Sequence, residues 1–338
     1  MLLTFAIMNL KRKEIVSYWL FSGLTIVILM VIIGGITRIT DSGLSMVNWK
    51  FEGTLPPMND TEWQVEFDQY KLYPEGAKVN TEMTVSEFQK IYFWEYLHRM
   101  TGRLLGIIFI IPFLFFLIKK WFTKKELKKY FILLGLGAIQ GGIGWFMVKS
   151  GLIDRPSVSH FRLAIHFVAA LTLAAYIFWM ILDIREIPKG NQEINKYSKY
   201  FLGVLTIQLI YGAFTAGLDA GQHKATNVIS SLFGYYNQSF QGFDIFNNDL
   251  NIQFIHRMIA WGILLFSIYI WKKTRNTNLK KEGNIVLSLV LVQVILGIST
   301  LLLDVQKHTA ITHQFVAALL VLGTIYLIHQ SQSNEKIQ

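Results

Sequence analysis

Eight apolar runs, each close to the roughly 20 residues that cross a hydrocarbon core about 30 Å thick, constrain this chain more than any other feature. They fall near residues 15–36, 91–118, 130–148, 159–182, 199–217, 251–271, 284–304 and 309–330, and short polar stretches dense in lysine separate them. The expected fold is an all-α polytopic membrane protein of eight transmembrane helices. Composition agrees: of 338 residues 52% are hydrophobic and 16% are charged, against about 25% charge in an ordinary soluble domain. A soluble globular enzyme, a disordered chain, a coiled coil and collagen are excluded. With no cysteine there is no disulfide framework, iron–sulfur cluster, thiolate zinc site or covalent c-type heme. The formal net charge of +10 does not point to nucleic acid, because the basic residues flank the apolar runs instead of forming a stripe.

Basic residues also set the orientation, since short loops rich in them stay on the cytoplasmic side. Lys11 to Lys13, Lys119 to Lys129, Arg185 to Lys199, Lys272 to Lys281 and Lys336 hold 19 of the 32 lysines and arginines. Both termini are therefore expected in the cytoplasm of a bacterium, with the chain in its inner (plasma) membrane. The largest outer segment, 37–90, contains Trp49, Pro56, Pro57, Trp63 and Tyr70, and its acidic, aromatic stretch from Asp60 to Glu75 is expected to be partly helical. The other long outer segment, from Leu218 to Leu250, is rich in Gly, Ser, Asn and Gln. Trp19, Trp121, Trp179 and Trp271 lie near run ends, as in an interfacial aromatic belt.

The chain repeats itself. Gly34, Thr37, Asp41 and Gly43 match Gly212, Thr215, Asp219 and Gly221 at an offset of 178. Glu95-Tyr-Leu-His98-Arg99-Met100 aligns with Gln253-Phe-Ile-His256-Arg257-Met258 at an offset of 158. His166-Phe-Val-Ala-Ala-Leu171 aligns with His313-Gln-Phe-Val-Ala-Ala-Leu319 with one residue inserted, and Gln140 pairs with Gln293. The expected architecture is two tandem four-helix bundles, 1–190 and 191–338, related by a pseudo-two-fold axis along the membrane normal. Matching residues then share a depth.

Ionisable side chains inside a membrane are expensive and by default functional, and each half contributes one histidine from its second helix and one from its fourth. Two facing imidazoles per bundle point to axial ligation of heme iron, near the outer face. Zinc or copper would demand more ligands than each half repeats. Arg38, Arg99, Arg103, Arg162 and Arg257 run against the positive-inside trend and are the candidate partners for heme propionates. His160, His308, His223 and His329 read as interfacial residues, the first two within reach of propionates. Glu95 stands three residues before His98 on one helical face, whereas Gln253 precedes His256. A carboxylate beside a heme can take or relay a proton and an amide cannot, so chemistry is expected in the N-terminal half. A quinol-linked diheme b-type electron-transfer protein is the runner-up, and Glu95 argues against it. A transporter built from parallel repeats would instead place its polar residues near the midplane.

Gly34-Gly-Ile-Thr-Arg38-Ile-Thr-Asp-Ser-Gly43-Leu, Gly53-Thr-Leu-Pro-Pro57, Glu95-x-x-His98-Arg99-Met100-x-Gly102-Arg103 and the paired later histidines resemble the heme A synthase family, in the branch that includes its mitochondrial members. The resemblance covers nearly the whole chain. It implies oxidation of the C8 methyl of heme O, through hydroxylated intermediates, to the formyl group of heme A. It implies Glu95 as the catalytic residue, His98 and His166 as ligands of the substrate heme O, and His256 and His313 as ligands of a heme b cofactor. It implies as partners a heme O synthase, cytochrome c oxidase or its assembly factors and an electron acceptor, with self-association a further candidate. The cysteine pair that some bacterial relatives carry in the first outer loop is missing here.

Overall fold

The computed structural model describes residues 2–48, 55–153, 156–222 and 244–333. Trp49, Gly53, His223, Lys336 and most of the segment after Leu218 lie outside the described residues. Among those described there are ten α-helices: α1 (Leu2–Ile39), α2 (Asp60–Lys71), α3 (Pro74–Lys78), α4 (Val85–Ile118), α5 (Lys124–Lys149), α6 (His160–Arg185), α7 (Gln192–Gly217), α8 (Asp249–Thr274), α9 (Lys280–Leu302) and α10 (Lys307–Gln330). A single 3-10 turn, Ala220–Gln222, follows α7. Eight of the helices, α1 and α4 to α10, are long and apolar enough to cross a membrane, so this is a multi-pass membrane protein. They match the eight expected runs, mostly with extra turns at the ends.

Local chemistry fixes those ends. Thr84 and Glu87 form a reciprocal capping box that starts α4 six residues before the expected position near 91, and Thr123 and Glu126 do the same for α5. At the other ends of α1, α7 and α9, Asp41, Asp219 and Asp304 take left-handed φ values of 48°, 51° and 51°. Aspartate tolerates that conformation better than most side chains, and there it terminates the helix.

α1, α6, α7 and α10 meet along the middle of the molecule, while α4 packs on α1, α5 on α6, α8 on α7 and α9 on α10. The buried core between them contains Leu171, Phe201, Leu205, Val290 and Leu320. α2 and α3 form the cap expected over 60–75, seated on the start of α4 through Phe67, Tyr70, Phe88 and Tyr92. Trp19 departs from the expected aromatic belt and is buried in the bundle. Pro112 inside α4 has no N–H to give the carbonyl of Ile108 four residues earlier. The Trp19 indole N–H on α1 donates to that carbonyl at 2.9 Å, so a polar group that lipid could not satisfy finds a partner across the helix pair.

Candidate functional site

α4, α6, α8 and α10 each carry one of the four repeated histidines, and in every case the neighbouring helix offers a glycine to the imidazole. A Cβ built on Gly34 of α1 would stand 3.3 Å from His98 Nε2, and one on Gly144 of α5 would stand 3.0 Å from His166 Cε1. On Gly212 of α7 and Gly297 of α9 it would stand 3.1 Å from Cε1 of His256 and of His313. Each ring thus sits in a notch that any side chain would fill. Gln140 adds a positioning bond, its Nε2 lying 3.2 Å from His166 Nδ1 and donating to the His166 carbonyl at 3.1 Å. In the other half, Gln208 Nε2 stands 3.4 Å from His256 Nε2.

All four imidazoles line one continuous cavity of about 1630 Å³. A site for one small molecule occupies roughly 300–1,000 Å³, so this volume accommodates two large ligands. The backbone carbonyls of Gln208 and Gln293, on the helices that supply the notches, face the imidazoles of His256 and His313 and orient the two rings. Among the described residues, no cluster of three or more His, Asp or Glu is placed to hold a bare metal ion. Paired imidazoles in glycine notches around an apolar chamber fit an iron porphyrin.

Glu95 is 2% exposed and lines the same cavity. Ser45 Oγ donates to its Oε2 at 2.7 Å and the Met46 amide donates to the same oxygen at 2.8 Å. Arg99 pairs with Oε1 and also donates to the Met46 carbonyl at 2.9 Å. The carboxylate therefore anchors the segment after α1 over the chamber. Its counterpart Gln253 donates to the Ala220 carbonyl at 2.8 Å.

The arginines divide. Arg99, Arg103, Arg257 and Arg38 line the cavity, but Arg38 also ties the end of α1 to the end of α7, pairing with Asp41 at 3.0 Å and Asp219 at 2.7 Å and donating to the Ala216 carbonyl. Arg162 turns elsewhere: its guanidinium lies 3.7 Å above the Phe146 ring and donates to the Phe146 carbonyl at 2.8 Å. His160 Nε2 is 2.9 Å from the Phe246 carbonyl, His308 is exposed, and His329 faces Asp183 at 3.4 Å near the opposite helix ends.

Sequence reasoning picked out Gly34 and Gly212 as repeat matches but missed their role as notches, and it missed Gly144 and Gly297 altogether, although these share the offset of Gln140 and Gln293. It also missed Glu75, a second buried carboxylate lining the cavity, in the cap. Tyr70 donates to Glu75 Oε2 at 3.1 Å and Asn80 donates to the Tyr70 oxygen at 2.6 Å. Burial outweighs that bond and pushes the Glu75 carboxyl up to about 7.

Fold and site together define an all-helical, multi-pass membrane protein that encloses paired histidines in one apolar chamber. A family model described as cytochrome oxidase assembly protein matches residues 17–325. The chain is 41% identical over 337 residues to the heme A synthase of Flavobacterium psychrophilum, covering 95% of this chain and 99% of that one. It is 40% identical to the heme A synthase of Flavobacterium johnsoniae, over 95% and 98% of the two chains, and 37% identical to that of Nitrosospira multiformis, over 93% of each. The chain belongs to the heme A synthase family.

Proposed function

We propose that this protein oxidises the C8 methyl of heme O stepwise to the formyl group of heme A, with the substrate held in the N-terminal half, residues 1–190. The observation that carries this reading is the unequal pair of otherwise matched sites, both with two imidazoles but one with Glu95 and the other with Gln253. His98 and His166 hold the substrate. His256 and His313, in the half from 191 to 338, hold heme b, which when bound carries electrons away from the reacting half.

Ser45, Met46 and Arg99 fix the Glu95 carboxylate so that it cannot swing. Oε2 is occupied by two donors, whereas Oε1 accepts from Arg99 alone and keeps a lone pair for a proton from the reacting carbon or an attacking oxygen species. Arg38, Arg99, Arg103 and Arg257, which line the chamber, are the propionate partners, and Arg162 falls away from the role its position implied. The apolar chamber walls exclude water from the porphyrin. Both termini lie in the cytoplasm and the chamber opens toward the outer face of a bacterial inner membrane. A heme O synthase supplies the substrate, and cytochrome c oxidase or its assembly factors receive the product.

Hemes extracted from protein purified out of cells that make heme O test this directly. Wild type is expected to yield heme B together with heme A or a hydroxylated intermediate, and Glu95→Gln heme B with unreacted heme O. Normal heme A from Glu95→Gln would sink the assignment of Glu95, and heme B alone in both would favour the electron-transfer cytochrome.

A further inference from the structure

The chamber is deeper in one half than in the other. Below His98 its lining continues along α4 to Ile110, twelve residues or about 18 Å, whereas below His256 it stops on α8 at Ile263, seven residues or about 10 Å. On α1 the lining reaches Trp19, but on α7 it ends at Leu205, the repeat counterpart of Val27. On α5 it reaches Leu133, but on α9 it ends at Val290, the counterpart of Gly137.

Three substitutions within the repeat account for the difference. Gly23, Gly106 and Gly137 correspond to Phe201, Leu264 and Val290 at the offsets of 178, 158 and 153 that align the halves. A Cβ on any of these glycines meets nothing within 4 Å. Phe201 and Val290, by contrast, are buried members of the core, and Leu264 packs against it. What the C-terminal half fills with side chains, the N-terminal half leaves as an apolar slot running down from the imidazoles to Trp19.

We propose that this slot is the subsite for a linear isoprenoid tail on the porphyrin held at His98 and His166. The inference rests on the reading of the N-terminal half as the substrate site and assigns to Gly23, Gly106 and Gly137 the room in which the tail lies. Heme O carries such a tail and heme b does not, so the Phe201 plug matches the C-terminal site to a tailless cofactor. Transfer of the tail out of water or detergent supplies affinity in proportion to the apolar area it buries. A ring without a tail leaves the slot empty.

The test is Gly23→Phe, which copies Phe201, in full-length protein that retains its resident heme b. Heme O and heme B are titrated separately into detergent-solubilised wild type and variant and followed by absorption. Wild type is expected to favour heme O over heme B, and Gly23→Phe to lose at least about tenfold in heme O affinity with heme B affinity unchanged. Retained heme b reports the fold; if Gly23→Phe is not recovered, Gly137→Val adds less bulk to the same slot and is read identically. Equal heme O and heme B affinities in wild type, or unchanged heme O affinity in a folded variant, would overturn the slot. Either result leaves heme A formation by wild type intact as a separate measurement. Conversely, tail-selective binding without any heme A would overturn the synthase reading and leave the slot standing.

Discussion

Each imidazole depends on a residue with no side chain. A methyl group at Gly212 would meet His256 Cε1 at 3.1 Å, and both neighbours of that contact belong to packed helices. Overpacking of this kind costs about 1–3 kcal/mol and forces a ring off its preferred rotamer. Gly212→Ala is therefore expected to lower the heme B content of purified protein and alter its reduced absorption spectrum, while heme O still binds in the other half. Full heme B with a wild-type spectrum would show that the notch is slack. The four histidines were legible in the sequence because they repeat in register where lipid makes ionisable residues expensive, and Glu95 was legible because it breaks that repeat at Gln253. The part played by the glycines was not, because the repeat marks Gly34 and Gly212 without saying which ring each one faces. Trp19 was misplaced for a related reason, since its partner, the carbonyl freed by Pro112, lies 89 positions away.

Among the elements, the cap of α2 and α3 behaves differently from the spans it covers. Its helices were foreseen from the aromatic and acidic pattern between Asp60 and Glu75, but the direction in which Glu75 points was not. A carboxyl raised from 4.5 to about 7 holds its proton in the folded cap at pH values where the unfolded chain has lost it. Stability accordingly falls as pH rises through that window and stays lower above it, by at most about 3 kcal/mol. Glu75→Gln removes the effect. Melting midpoints of the detergent-solubilised protein at about pH 5 and about pH 8 should differ less for the variant than for wild type once other carboxylates are common to both. An equal difference in the two proteins would place the titration elsewhere. The early start of α4 was hidden in the same stretch, because the Thr84–Glu87 box lies in sequence that reads as loop.

For the whole molecule, the eight spans were readable from length and hydropathy. The union of both sites in one cavity was not readable, because it arises where α1, α6, α7 and α10 meet. A ligand that binds only the folded state stabilises it by about 2.7 kcal/mol at a hundred times its dissociation constant. Protein isolated from heme-starved cells should therefore melt at a lower temperature than heme-replete protein, and refilling with heme B should restore part of the gap. Identical midpoints would mean that the helices already pack against one another without their ligands.

The hollow of about 1630 Å³ also has a bearing on turnover in the cell. Close packing protects a protein from proteolysis by keeping its open states rare, and on the function proposed above part of that packing arrives with the porphyrins. On that reading a chain that has received its porphyrins is closed to proteases, and one that has not stays more open to them however correctly it was inserted. The amount of this protein that survives in the membrane would then follow the supply of its own cargo, with no dedicated regulator required.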